Sequence, residues 1–123
     1  AATVQANNTT LNGDINAGIT TSSLSLAETS SLQGSVNGLY SLLMLDNTSQ
    51  WNMTGPSFVG NLTNDGDITL NNASGSTGSL LTVDNTLTLQ DNSQINATLD
   101  TANSSPIIKA ANVTLDGTLN LRD

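Results

Sequence analysis

The chain has 123 residues, and its ten carboxylates outnumber the two basic side chains, Lys109 and Arg122, to give a net charge of −8. Such a chain is repelled by nucleic-acid phosphates and by anionic membrane surfaces, which argues against both as partners. Ser, Thr and Asn fill about two fifths of the positions, His and Cys are absent, and there is one Trp, one Tyr and one Phe. Any core must therefore be built from Leu, Val and Ile rather than from rings.

The chain opens on AATVQANN, which carries no signal-peptide pattern and reads as the start of a mature fragment. The most apolar run, LYSLLML at 39–45, falls far short of the roughly 20 residues of a membrane span. Without Cys there is no disulfide or thiolate–metal site, and nothing crosslinks the chain while it crosses an oxidising compartment unfolded.

From the N-terminus onward, the pattern is that of short strands and polar corners. NGD at 12–14 marks a turn, followed by the alternating apolar pairs LSL at 24–26 and LML at 43–45. NDGD at 64–67 turns into ITL at 68–70, and NNASGSTGS at 71–79 separates that pair from LTL at 87–89. DTANSS at 100–105 then leads to VTL at 113–115, which runs into LDGT at 115–118. Apolar residues two apart face one way in a strand, and Gly and Asn supply the positive-φ positions of tight corners. No segment carries a helical stripe with caps.

The second Leu of each pair falls at Leu26, Leu45, Leu70, Leu89 and Leu115, with steps of 19, 25, 19 and 26 residues. Recurrence at about 20 residues signals a solenoid, each repeat being one coil that cannot bury its apolar face alone. A leucine-rich repeat has a similar period but needs fixed Leu positions and an invariant Asn that are missing here. Variable coil lengths suit a parallel β-helix, in which insertions bulge out at corners. The predicted fold is all-β, a right-handed parallel β-helix of roughly 5–6 coils of about 19–26 residues.

One phrase is written three times: LAETSSL at 26–32, LDNTSQW at 45–51 and LQDNSQI at 89–95. Its Leu closes one strand, the segment ending in Ser turns a corner, and the last apolar residue opens the next inward row. Stacking predicts a column of Leu26, Leu45 and Leu89 and a second column of Leu32, Trp51 and Ile95. It also predicts a polar ladder of Ser30, Ser49 and Ser93 between coils about 4.8 Å apart. Trp51 is thus expected as a core plug.

The residues for catalysis are sparse. Absence of His and Cys excludes Ser–His and Cys–His nucleophilic schemes. Asp65 and Asp67 form the close acidic pair that glycosidase chemistry or an isolated surface calcium ion would need, but they flank Gly66 in a turn. Neither the nonapeptide calcium-roll pattern nor an EF-hand loop is present. The Asn-x-Ser/Thr sequons, among them Asn52–Thr54, Asn61–Thr63 and Asn96–Thr98, follow from composition. No catalytic, cofactor or metal residue is assigned from the sequence, and no cofactor is expected.

The stretch SQWNMTGPSFVGNLTNDGDITL at 49–70 carries a family resemblance. It is similar to the final coils of passenger domains of Gram-negative autotransporters, the pertactin-like and AIDA- or antigen-43-like surface proteins. The resemblance rests on Ser49, Trp51, Thr54, Gly55, Asn61, Leu62, Asn64, Gly66, Ile68 and Leu70, in that order. LLTVDNTLTL at 80–89 and IIKAANVTLDGTLNL at 107–121 resemble the family's pre-barrel stretch. The resemblance implies a surface-displayed β-helix fragment with stem coils at 1–56 and autochaperone-like coils at 57–123. The implied partner is the protein's own C-terminal outer-membrane barrel, with a host-surface ligand or self-association as further partners. Two other readings stand beside it: a self-associating adhesion module of cell aggregation or biofilm, and, more remotely, a β-helical carbohydrate-active enzyme.

Overall fold

A computed structural model describes residues 2–19, 21–70, 81–98 and 107–122. The described residues form thirteen strands and no helix. In chain order these are β1 (Ala2–Asn7), β2 (Thr10–Asn12), β3 (Ile15–Gly18), β4 (Ser22–Ala27) and β5 (Ser31–Gln33). They continue as β6 (Val36–Leu45), β7 (Gln50–Met53), β8 (Ser57–Asn64) and β9 (Asp67–Leu70). The last four are β10 (Leu81–Leu89), β11 (Gln94–Thr98), β12 (Ile108–Leu115) and β13 (Thr118–Arg122).

Every pairing is parallel and joins one coil to the next, which makes the chain a parallel β-solenoid of about five turns. One sheet runs β1-β4-β6-β8-β10-β12, with β3 added on β6; the other runs β13-β11-β9-β7-β5-β2. Strands β6, β8 and β10 are long because each serves two sides of the coil. Their register shifts midway, between Gly38 and Leu42 or between Val83 and Leu87, where the backbone bends from one side to the next.

Period-2 alternation drives this arrangement. In β4, Leu24 and Leu26 are buried between partly exposed Ser neighbours, and β9 and β10 repeat the pattern. Residues in register stack into columns: Leu24, Leu43, Leu62 and Leu87 form one, and Leu32, Trp51, Ile68 and Ile95 another. Trp51 is fully buried, and its indole N–H donates to Gly34 O at 2.9 Å. The ring is therefore the predicted core plug, and the carbonyl satisfies its one polar atom.

Two expectations are corrected. Leu70 does not continue the column of Leu26, Leu45 and Leu89; it lies on the other sheet, in register with Met53 and Ala97. The place between Leu45 and Leu89 belongs to Asn64. The 68–70 pair resembles the others in spelling, but a short corner shifts it onto the next side. Leu115 is in register with Leu89 but is 57% exposed, because among the described residues no coil covers it. The polar clusters at 71–79 and 100–105 lie outside the described residues.

Candidate functional site

The corner between the two sheets carries most of the polar chemistry. In each long corner the chain leaves the first sheet at an inward Leu and re-enters the core six residues later, at Leu32, Trp51 or Ile95. Ser30, Ser49 and Ser93 are all buried there, as the repeated phrase predicts. The main chain continues the ladder through the turn: Gln50 N–H donates to Ser30 O, Asp67 N–H to Ser49 O, Gln94 N–H to Gly66 O and Thr118 N–H to Ser93 O.

The hydroxyls work between coils. Ser30 Oγ donates to Ala27 O at 2.7 Å and accepts from Thr9 N–H at 3.1 Å in the coil before. Ser49 Oγ donates to Asp46 Oδ1 at 2.9 Å and accepts from Ser30 N–H at 3.3 Å. Ser30 and Ser49 thus close their own turns and each satisfies a main-chain donor one layer back, which a buried corner requires.

Asp46 organises the central corner. Its Oδ1 accepts from Thr48 N–H at 2.9 Å, the Thr48 hydroxyl at 2.8 Å and the Ser49 hydroxyl. Its Oδ2 accepts from Glu28 N–H at 2.9 Å, and Thr48 Oγ1 accepts from Thr29 N–H at 2.8 Å. Glu28 and Thr29 have φ of 52° and 63°, in the left-handed region that β-branched residues rarely enter. The LDNTS corner therefore holds the strained LAETS corner in place across the coil interface. Partial burial pushes the Asp46 carboxyl up, but the hydrogen bonds from Glu28, Thr48 and Ser49 outweigh it and bring it down to about 2. Asp14 is also held below the usual carboxylate range, by hydrogen bonding from Ser35, whose N–H lies 2.9 Å from its Oδ1.

The fourth corner is built differently. Asn64 is fully buried and folds back on its own turn, accepting from Gly66 N–H and donating to Gly66 O, both at 3.0 Å. From Asn64 to Ile68 the chain turns in four residues instead of six. Gly66 is required because a Cβ there would lie 2.2 Å from Ser49 O and 2.5 Å from Asp46 O. Gly117 occupies the matching place after Leu115, where a Cβ would meet Ser93 Oγ.

This change of corner explains Ser93. By the pattern of Ser30 and Ser49, its Oγ would accept from the main-chain N–H at position 66, but Asn64 already holds that donor. Among the described residues Ser93 Oγ is buried without a partner. The repeated phrase pointed to three equivalent Ser residues; the third keeps the position and loses the hydrogen bond. The shared spelling Asp-Gly-x-apolar at 65–68 and 116–119 is the signal that marks the short corners.

The acidic pair predicted from sequence is split by function. Asp65 sits on the corner, where its carboxylate accepts from Asn92 N–H at 3.0 Å and lies 3.5 Å from Asn92 Nδ2. Asp67 begins β9 and faces outward. Asp65, Asp91 and Asp116 border a shallow depression of about 350 Å³ with Gln90 and Asn92. Among the described residues no group of three or more carboxylates could hold a metal ion. What the corner provides is registration: charge-assisted and neutral hydrogen bonds that fix each coil on its neighbour.

No protein-family model, curated protein or solved structure matches the chain.

Proposed function

We propose that the chain is a structural segment of an autotransporter passenger, displayed on the surface of a Gram-negative bacterium and supporting folding and export of an adhesin. In this reading residues 1–56 are stem coils and residues 57–123 an autochaperone-like seed. The observation that supports it most is the parallel solenoid itself, in which every coil is bonded through edge strands to the next. A completed coil presents a row of free N–H and C=O groups, an apolar row and a corner that fixes register, so it templates its neighbour. At an outer membrane without ATP, such propagation favours outward movement of the chain. The partners in this reading are the protein's own C-terminal barrel and a host-surface ligand, and the role is non-enzymatic and cofactor-free.

The test is deletion of residues 57–123 from the full-length parent, read as protease resistance of the displayed passenger. Loss of resistant passenger upstream of the deletion is expected. Normal levels would make the segment a passive spacer and refute the seed role.

One feature favours self-association as a second reading. The outward rank Gln5, Ser25, Met44, Thr63, Thr88 and Thr114 carries no charge, nor does the parallel rank from Thr3 to Asn112. Two copies, each with a net charge of −8, can bring these flat faces together without placing like charges opposite one another. Dimerisation of the fragment in solution, abolished by Thr88→Glu, would support this reading, and a monomer at all concentrations would remove it.

A further inference from the structure

A trough runs along the solenoid beside the corner where the chain passes from the first sheet to the second. One bank is the outward rank of Ser25, Met44 and Thr63; the other is the corner column of Ala27, Asp46, Asp65 and Gln90. Leu26 and Leu45 form the floor, and the volume is about 370 Å³. Coils stack on both sides of it, β1 before and β12 after. The main chain along the floor is engaged between coils. Asp46 N–H donates to Leu26 O at 3.0 Å, and Asp65 N–H to Leu45 O and Gln90 N–H to Asn64 O, both at 2.9 Å. An occupant is therefore held by side chains and does not add as a strand. Met44, 36% exposed, offers it an unbranched thioether that adapts in shape.

The electrostatics select a cation. Glu28, Asp46, Asp65, Asp91 and Asp116, five of the ten carboxylates, lie in the corners between the first sheet and the second, and neither Lys109 nor Arg122 does. Asp46 and Asp65 border the trough one coil apart, a spacing of about 4.8 Å. Their parts differ. Asp46 already accepts four hydrogen bonds, which bring its carboxyl down to about 2, so it acts through a permanent charge. Asp65 accepts from Asn92 N–H at 3.0 Å and lies 3.5 Å from Asn92 Nδ2, which leaves lone pairs for a donor in the trough.

We infer that the trough binds an extended basic peptide, with a Lys or Arg head at Asp65 and its aliphatic stem over Met44. A long cationic side chain has that division into apolar stem and charged tip, and the acidic edge draws it in. A sugar chain fits less well, because none of the three aromatic residues borders the trough to stack on a sugar ring. On a cell surface such a peptide would belong to the host ligand, a role that rests on the reading above; the binding itself is a property of the chain alone.

The test is fluorescence anisotropy of a labelled octa-arginine peptide titrated with the whole chain at physiological ionic strength. The parent is expected to bind it saturably and to leave a matched octa-glutamate peptide free. Met44→Lys, at an exposed position, places a like charge in the trough and should weaken binding by about tenfold or more. Asp65→Asn keeps an oxygen for Asn92 N–H and should weaken binding several-fold. Asp84→Asn removes the same charge from an exposed position in β10, outside the trough, and should leave binding within about twofold. All three variants should keep the parent circular-dichroism spectrum. No saturable binding by the parent would overturn the proposal. Equal weakening by Asp65→Asn and Asp84→Asn, or none by Met44→Lys, would assign binding to net charge and overturn it as well. A glucosamine oligomer run in parallel would displace the peptide as occupant if it bound through Met44 and Asp65 and octa-arginine did not. None of these outcomes touches the export assay, which tests the seed role separately.

Discussion

Replacing Ser49 by Ala and Ser93 by Ala should have opposite effects, although the two residues occupy the same place in the repeated phrase and are equally buried. Ser49 Oγ is the acceptor for Ser30 N–H and a donor to Asp46. Its removal leaves a buried main-chain donor unpaired and takes one hydrogen bond from the carboxylate, at a cost of about 1–3 kcal/mol. Ser93 Oγ has no partner to lose. Replacing the hydroxyl by hydrogen leaves a small void but removes an unsatisfied buried polar atom, a change that is neutral or stabilising by about 1 kcal/mol. For a chain of this size 1 kcal/mol corresponds to about 3–5 °C in Tm. Thermal and urea melts followed by far-UV circular dichroism should therefore show Ser49→Ala below the parent and Ser93→Ala at or above it. Equal destabilisation of both would mean that Ser93 has a partner, and that the short corner does not withhold the N–H of Gly66.

The remaining predictions concern burial and protonation. Leu89→Asp should unfold at least the C-terminal coils, because Leu89 is 2% exposed, stacked between buried Asn64 and Leu115, and a carboxylate there loses its hydration. Leu115→Asp, one layer further along the same column and 57% exposed, should melt like the parent; matched melts of the two variants check both. Asp46 gives a pH signature. Its folded carboxyl is depressed to about 2 from an ordinary value of 3.8, so its contribution is full above about pH 4 and fades as pH falls toward 2. The urea midpoint of the parent should drop over that window, and Asp46→Asn should start lower at neutral pH and lose less on acidification.

Much of the fold was legible because it rests on a periodic pattern. Alternation around Leu24 and Leu26, around Leu43 and Leu45 and around Leu87 and Leu89 placed strands where strands lie. The repeated phrase correctly placed three corners and the rows of Leu32, Trp51 and Ile95. Counting by Leu alone misplaced Leu70, because an inward position is defined by register and Asn64 can fill one once its amide is satisfied by Gly66. The spelling of Leu115 matches that of Leu89, and burial differs only because stacking partners are not written in local sequence. The Asp46 network was hidden for a related reason: its links to Glu28 and Thr48 join residues 18 apart as well as neighbours. Only stacking reveals the first kind.

In the proposed function a formed coil templates the next, and the C-terminal coils supply the first template. Separate preparation of residues 1–56 and 57–123 tests it directly, because the division falls between β7 and β8 and breaks no strand. The measurement is far-UV circular dichroism of each piece alone and after mixing. The 57–123 piece should show strand by itself, and 1–56 should be unstructured until 57–123 is added, when the mixture exceeds the sum of the separate spectra. A 1–56 piece that folds alone, or a mixture equal to the sum, would contradict templating from the C-terminal end.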